Sequence, residues 1–144
     1  MKLDLNNPFD LQRFDRRCAS LKEQGAFVEL RELKPRTRNQ NNYLHLLLGV
    51  VAMDTGNTID YVKEWYFKRL VNPHIFVKTI KDKYAGEIEV LVSSAAIEKD
   101  EMSEAIDRFK RWGDEHEFYM PSPGDESLLR SIEIEMGRRE KYLQ

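Results

Sequence analysis

The chain has 144 residues, 41% of them hydrophobic and 33% charged, with a net charge of -2 at neutral pH. This length suits one compact domain and leaves little room for a second. The net acidity argues against an indiscriminate, very tight coating of DNA, but residues 34–42 and 63–83 carry an excess of positive charge that could meet a polyanion.

Cysteine content and apolar runs limit the compartment and the chemistry. Cys18 is the only cysteine, so a disulfide or a thiolate metal cluster within one chain is excluded. The N-terminal residues lack the apolar core of a signal peptide, and no apolar run approaches the roughly 20 residues that span a bilayer. We therefore expect a cytoplasmic protein that is not embedded in a membrane.

The first third of the chain predicts a strand, a helix and a second strand. Residues 2–5 alternate like a short strand, and Asn7 with Pro8 then opens a helix that Gly25 ends. Residues 26–33 alternate imperfectly but predict a half-buried strand, which Pro35 closes.

Two helices are predicted next. The first begins at Asn39 or Gln40, ends at Thr55 before Gly56, and is apolar at nearly every position after Asn42. Such a helix must be covered around most of its circumference, either by the domain or by a second subunit. If a second subunit provides the cover, the predicted dimer-interface residues are Leu44, Leu47, Leu48 and Val51.

The next helix, over residues 59–70, is predicted to begin after the capping residue Thr58. An α-helical period places Trp65 in its buried face, although the ring could instead offer a stacking face to a base. Residues 75–80 and 88–92 alternate as the strands of a hairpin, with a turn over residues 84–86.

Two further helices are predicted, over residues 98–117 and 125–143. The first directs an apolar set toward the core, namely Met102, Ala105, Ile106, Phe109 and Trp112. The element order predicts a single α+β domain over residues 1–144, with a small mixed sheet and hairpin packed against about five helices.

The segment over residues 36–41 is the first candidate nucleic-acid-binding site. Arg36 and Arg38 could bind phosphates, and the amides of Gln40 and Asn41 could brace a backbone. The same segment also fits a helix start capped by Asn39, with exposed arginines that serve solubility. Residue types alone leave both interpretations open.

Two other basic sets could extend that surface. The hairpin lysines Lys78, Lys81 and Lys83 are predicted to point outward, with Tyr84 beside them. The last helix carries a second set near its end, namely Arg138, Arg139 and Lys141. Lysines on a solvated hairpin and cations that meet a helix dipole explain the same residues without DNA.

No pattern in the sequence indicates catalysis, a metal or a cofactor. The run of residues 114–117 places its acidic side chains and His116 in different directions on a helix, so it cannot ligate one ion. Gly-rich phosphate loops and nucleophile-elbow glycines are absent. The sequence therefore predicts a protein that is not an enzyme and needs no cofactor.

At Arg36-Thr37-x-x-Gln40-Asn41, followed by the apolar helix, the chain resembles the NinB (Orf) family of bacteriophage recombination-mediator proteins. The resemblance extends over about residues 30–139. It implies an intertwined α+β homodimer that binds single-stranded DNA without sequence preference in a bacterial host cell. It also implies that the protein helps a recombinase to load in the presence of a single-strand-binding protein.

The chain departs from that family at two places. His45 stands where a tryptophan is often found, which puts a stacking role there in doubt. Ala95 and Ala96 replace a more polar, partly basic stretch after the paired serines, which removes one phosphate contact and leaves the lysine hairpin as the better candidate.

Two other functions compete with DNA binding. A protein-interaction adaptor of a replication or recombination complex would use the acidic helix start at residues 98–107, or the C-terminal helix, and needs no DNA affinity. A structure-selective nuclease would need clustered carboxylates on a metal ion.

Overall fold

The computed structural model of the protein describes residues 2–32 and 39–144. The chain divides into two compact units, Met1–Thr37 and Arg38–Gln144, which we call the N-terminal and C-terminal units. The predicted α+β class is confirmed, since the described residues contain seven α-helices and a two-stranded antiparallel sheet. One domain over residues 1–144 stays a prediction.

The N-terminal unit contains one long helix, α1 (Pro8–Gln24), as predicted. Its ends follow from local chemistry. The Asn7 side chain accepts a hydrogen bond from the Phe9 amide, and Pro8 occupies the first turn, where its missing N–H costs nothing. Gly25 ends the helix in the left-handed region, with φ of 61°, where a Cβ would be strained.

The two strands predicted in this unit are wrong as far as the structure describes them. Residues 2–5 and 26–32 belong to no strand ladder. Alternating apolar residues favour an extended backbone, but a strand also needs a neighbour to pair with its N–H and C=O groups. The predicted mixed sheet is therefore absent from the described residues, whose sheet is a single antiparallel hairpin.

The C-terminal unit contains the other six α-helices. They are α2 (Gln40–Thr55), α3 (Ile59–Tyr61), α4 (Pro73–Phe76), α5 (Lys99–Glu115), α6 (Glu126–Arg138) and α7 (Glu140–Leu143). Helix α3 continues directly into a π-helix, Val62–Val71, and a 3-10 turn covers Ser94–Ala96. The last predicted helix is therefore two helices, which meet at Arg139.

Helix α2 lies at the centre of the C-terminal unit and contacts the π-helix, α5, α6 and α7. This corrects the predicted dimer interface. The four residues assigned to it are buried inside one chain: Leu44, Leu47, Leu48 and Val51. Because α5, α6 and the π-helix already cover α2, its apolar character does not require a second subunit.

The core beside α2 is aromatic. The Phe67 ring lies 5.3 Å from that of Phe76 and 5.5 Å from that of Phe109, measured between ring centroids. The predicted core face of α5 is confirmed for Met102, Ala105, Ile106 and Phe109, which are buried. Trp112 is half-buried against the same core.

The hairpin is confirmed, with strands β1 (Val77–Asp82) and β2 (Gly86–Leu91). The first strand starts later than predicted, because Ile75 is buried in the short helix α4. A three-residue turn joins the strands, and Gly86 follows it with φ of 75°, as short hairpin turns with a left-handed residue require.

Candidate nucleic-acid interface

Of the residues predicted to bind DNA, Arg36 and Arg38 lie outside the described residues. The side-chain amide of Gln40 has a structural role. The Gln40 Nε2 group donates to the backbone carbonyl of Lys99 at 3.2 Å and to Ser103 Oγ at 2.7 Å. These bonds tie the start of α2 to α5 and use both amide hydrogens of Gln40.

The capping interpretation of this segment is confirmed for Asn39. Its side-chain oxygen accepts a hydrogen bond from the Asn42 amide at 2.7 Å, at the first turn of α2. Asn41 is exposed at the same turn. Within the described part of this segment, Asn41 is therefore the predicted DNA contact that stays accessible to a ligand.

The hairpin lysines do not form one basic face. In the strand register, Lys78 is opposite Val90 and Lys81 is opposite Glu87, and these pairs lie on opposite faces of the ribbon because they are three residues apart. The expectation of a shared outward set is wrong for these two residues. Both are exposed, but a ligand on one face of the hairpin meets only one of them.

The turn of the hairpin is ordered by Asp82. Its Oδ1 atom accepts hydrogen bonds from the Tyr84 and Ala85 amides, each at 2.9 Å. These backbone donors, Ala85 first and then Tyr84, hold the pKa of the Asp82 carboxyl below its usual value. The acidic residue that interrupts the basic hairpin thus fixes the turn that presents Lys83 and Tyr84.

Tyr84 is 90% exposed at this turn, and the Lys83 ammonium lies 5.6 Å from its ring centroid. A cation at this distance from the face of a ring is in the range of a cation–π interaction. The tip of the hairpin therefore presents an aromatic face with a positive charge beside it.

A second such pair lies on the π-helix. Trp65 is 51% exposed, and the Arg69 guanidinium lies 5.0 Å from its ring centroid. The prediction that Trp65 lies in the core is wrong. The Tyr61 ring is tilted by 35° against Trp65 at 6.2 Å, so the exposed surface here holds two aromatic rings and one cation.

The π-helix explains why Trp65 faces outward. Its buried hydrophobic residues are Val62, Phe67 and Val71, spaced five and four residues apart, which is wider than the α-helical period. The exposed apolar residues Trp65 and Leu70 follow the same wide spacing, starting from Tyr61. A prediction based on 3.6 residues per turn rotates Trp65 inward.

Lys68, next to Arg69, shows the opposite use of a cation. It is buried, and its ammonium donates to the Val92 carbonyl at 3.0 Å and lies 5.4 Å from the Phe76 ring centroid. Burial, and then the charge of Lys63, lowers the pKa of Lys68, while Glu64 raises it. Lys68 is therefore part of the core and is not a candidate ligand contact.

A third aromatic–cation pair lies in α7. Tyr142 is 68% exposed, and the Lys141 ammonium lies 5.1 Å from its ring centroid. The buried side chain of Leu143 anchors this short helix. Lys141 was predicted to bind DNA, but Tyr142 and Arg69 were not. An aromatic residue one or four positions from a cation is the sequence signal that could have indicated them.

The other predicted basic residues of the C-terminal end already have acidic partners. Glu135 receives Arg138 at 3.5 Å and Arg139 at 2.9 Å. Exposed pairs of this kind contribute little to stability, and a phosphate could compete for either arginine. Neither side chain lies against an aromatic ring in the part of the chain that the structure describes.

We call the three pairs Trp65–Arg69, Tyr84–Lys83 and Tyr142–Lys141 the aromatic–cation pairs. Each combines a flat, exposed ring with a positive charge, which is what a stacked base and its phosphate need. The described residues hold no group of three or more side chains able to ligate a metal ion. None of their helices has the length and apolar character needed to cross a membrane.

Comparison of the chain with protein-family models, with curated proteins and with solved structures finds no match.

Proposed function

We propose that this protein binds single-stranded DNA without sequence preference and is not an enzyme. The observation that carries the proposal is the set of three aromatic–cation pairs on the C-terminal unit. Base stacking on aromatic side chains is sequence-tolerant, because every base has a π-face, and neighbouring cations attract the phosphates. Duplex DNA hides its base faces, so exposed rings favour single strands.

The biological role that we propose is recombination accessory protein of a bacteriophage or prophage. It rests on the resemblance of Arg36-Thr37-x-x-Gln40-Asn41 and the apolar helix after it to the NinB (Orf) family. In this role a homodimer in the bacterial cytoplasm would help a recombinase to load on strands covered by a single-strand-binding protein. A strand-exchange assay with and without the protein tests this role separately from DNA binding.

The test of DNA binding is a fluorescence-anisotropy titration of a labelled oligo(dT) over a series of salt concentrations. Log K should fall with log salt by about 0.7 for each phosphate neutralised on a single strand. Trp65→Ala and Tyr84→Ala should each weaken binding by roughly 5- to 150-fold, from a stacking contribution of about 1–3 kcal/mol per base.

Tyr119→Ala is the matched control. Tyr119 is 68% exposed, like Tyr142, and no cation lies over its ring in the described residues. Its replacement should leave the affinity within twofold of the original protein. Absence of binding to oligo(dT) at low salt would overturn the proposed function, and equal losses in all three variants would show that the pairing with cations is irrelevant.

A protein-interaction adaptor is the second candidate, and a different observation favours it. The segment 26–32 exposes Phe27, Val28 and Leu30, and a group of exposed apolar side chains of this kind can mark a protein–protein interaction site. Pull-down from nuclease-treated host lysate separates the two functions, because an association through DNA disappears and a direct one persists. The combined replacement of Phe27 and Leu30 by Ser should abolish a direct association only.

A further inference from the structure

Helix α1 carries a row of basic residues that the proposed function has not used. Arg13, Arg16, Arg17 and Ser20 line a shallow, open depression with a volume of about 330 Å³. Residues three, four and seven positions apart share one face of an α-helix, so these side chains point to the same side of α1. We call these four residues the α1 row.

Two charges of the α1 row, those of Arg16 and Arg17, are available to a ligand. Arg16 and Arg17 are exposed, and neither forms an ion pair in the described residues. Arg13 lies 3.7 Å from the buried carboxylate of Asp10, which also accepts a hydrogen bond from the Asp4 amide at 3.1 Å. Asp10 therefore fixes Arg13 at one end of the row, while the other two guanidinium groups face solvent.

The composition of the row matches a phosphate group. A guanidinium presents planar, paired N–H donors that fit phosphate oxygens, and a serine hydroxyl can donate to a third oxygen. The lining of the depression contains no carboxylate that would repel an anion. We propose that the α1 row binds backbone phosphates of single-stranded nucleic acid. This proposal rests on the proposed function, and it distinguishes phosphate contact by the α1 row from base stacking by the aromatic–cation pairs.

The surroundings of the row favour a nucleic acid over a membrane surface. The apolar side of α1 is half-buried within the chain, so it is only partly available for insertion into lipid. It consists of Phe14, Cys18 and Leu21. Phe9 is 78% exposed one turn before Arg13, and it adds an aromatic face on the side of the row. A row of arginines with an exposed ring at one end of the same face suits a single strand.

The experiment uses the full chain and two probes: labelled oligo(dT), and an abasic oligodeoxynucleotide that has the phosphate backbone and no bases. The test variant is Arg16→Gln/Arg17→Gln. Its matched control is Lys2→Gln/Lys22→Gln, which removes the same charge from the same unit at exposed positions. Lys22 is nine residues from Arg13, which places it on the opposite side of α1.

We expect the test variant to lose two phosphate contacts on both probes. The slope of log K against log salt should fall in magnitude by about 1.4, which is about a 25-fold weaker affinity at 0.1 M salt if the affinities converge at 1 M. The control variant should stay within a few-fold of the original protein. Trp65→Ala should weaken binding to oligo(dT) and leave binding to the abasic probe unchanged.

The outcomes separate the two proposals. If the original protein binds neither probe, the proposed function fails. If it binds oligo(dT) and the test variant matches the control on both probes, the α1 row is not a phosphate site although the proposed function stands. Loss of binding to phosphatidylserine vesicles by the test variant, with DNA affinity unchanged, would assign the row to a membrane and overturn the inference.

Discussion

The two units of this chain owe their order to different interactions. The C-terminal unit encloses twenty buried hydrophobic residues, and its central helix α2 is covered on several sides by other helices. In residues 2–32 of the N-terminal unit, Asp10 is the one buried residue, and apolar side chains such as Phe9 and Phe27 are exposed. Burial therefore determines the structure of the C-terminal unit, whereas capping and local hydrogen bonds define α1.

The two units should also differ in how readily they change conformation when a ligand binds. Most of the stability of a protein helix comes from tertiary packing, and α1 has no buried apolar residue, so α1 should open far more often than α2. A unit of low stability can adjust to a ligand, whereas Trp65–Arg69 and Tyr142–Lys141 lie on helices that the buried residues Phe67 and Leu143 anchor in the core. We therefore expect the α1 row to become ordered when phosphates bind.

The largest expected effect is the contrast between Phe67→Ala and Phe9→Ala. Phe67 has no exposed surface and touches two other rings, so its truncation should lower the free energy of unfolding by about 3–5 kcal/mol. Phe9→Ala should change it by less than about 0.5 kcal/mol, since the ring is exposed. Urea denaturation followed by circular dichroism measures both, and equal losses would show that the N-terminal unit hides a core contact.

The second prediction concerns alkaline pH and Tyr43, a buried residue of α2. Burial, and then the charges of Asp107 and Asp114, raises its pKa from 10.0 to about 12. Because the folded pKa is the higher one, the stabilisation is complete below pH 10 and is lost as the pH rises toward 12. The loss should reach roughly 2–3 kcal/mol, at about 1.4 kcal/mol per pKa unit.

Tyr43→Phe isolates this effect. It removes the hydrogen bond that the Tyr43 hydroxyl donates to the Pro121 carbonyl, which lowers stability at neutral pH, and it also removes the titration. Lys68, whose pKa is lowered, works in the other direction and stabilises the fold as the pH rises toward 10.5. Lys68 is present in both proteins, so its titration cancels in their difference. The difference in free energy of unfolding between the original protein and Tyr43→Phe, measured in urea from pH 9 to 12, should stay constant up to about pH 10 and then fall. A constant difference contradicts the raised pKa.

Local chemistry made part of this fold predictable. Asn7 and Gly25 bound α1, and Asn39 and Gly56 bound α2, because capping depends on residues that are neighbours in sequence. The hairpin was equally clear. The sequence spacing could also have predicted that Lys78 and Lys81 lie on opposite faces of the hairpin, since residues three apart on a strand must lie on different faces.

The rest depended on packing that one sequence does not display. The wide period of the π-helix, and with it the exposure of Trp65, results from how Phe67 and Val71 meet the core. The apolar face of α2 showed that a cover was needed, but its source could have been a second subunit or α5 and α6. Aromatic–cation pairs such as Tyr142–Lys141 could be suspected from adjacency alone, but their exposure could not.

The third prediction tests a polar contact inside the C-terminal core. Asn72 is fully buried, and its Nδ2 group donates to the carbonyls of Phe67 and Ala105, each at 3.0 Å. Asn72→Ala leaves both carbonyls without this donor, so the free energy of unfolding should fall by about 1–3 kcal/mol. Asn6→Ala, at an exposed site of the N-terminal unit, is the control and should have little effect. Equal urea midpoints for the two variants would refute the structural role of Asn72.

The smallest effect is the most informative about the two units, because it compares the same substitution at two helix caps. Asn7 caps α1 and Asn39 caps α2, each with a side-chain oxygen that accepts a backbone N–H. Either replacement by Ala should cost its helix about 1 kcal/mol. Since α2 unfolds together with the core, Asn39→Ala should lower the free energy of unfolding by that amount and lower the urea midpoint accordingly. Asn7→Ala should leave the midpoint unchanged and instead raise the hydrogen-exchange rates of α1 amides about fivefold, because α1 opens locally.

A midpoint shift of the same size for both variants would contradict this prediction. It would mean that α1 unfolds cooperatively with the core of the C-terminal unit, so that burial in that unit also determines the stability of α1.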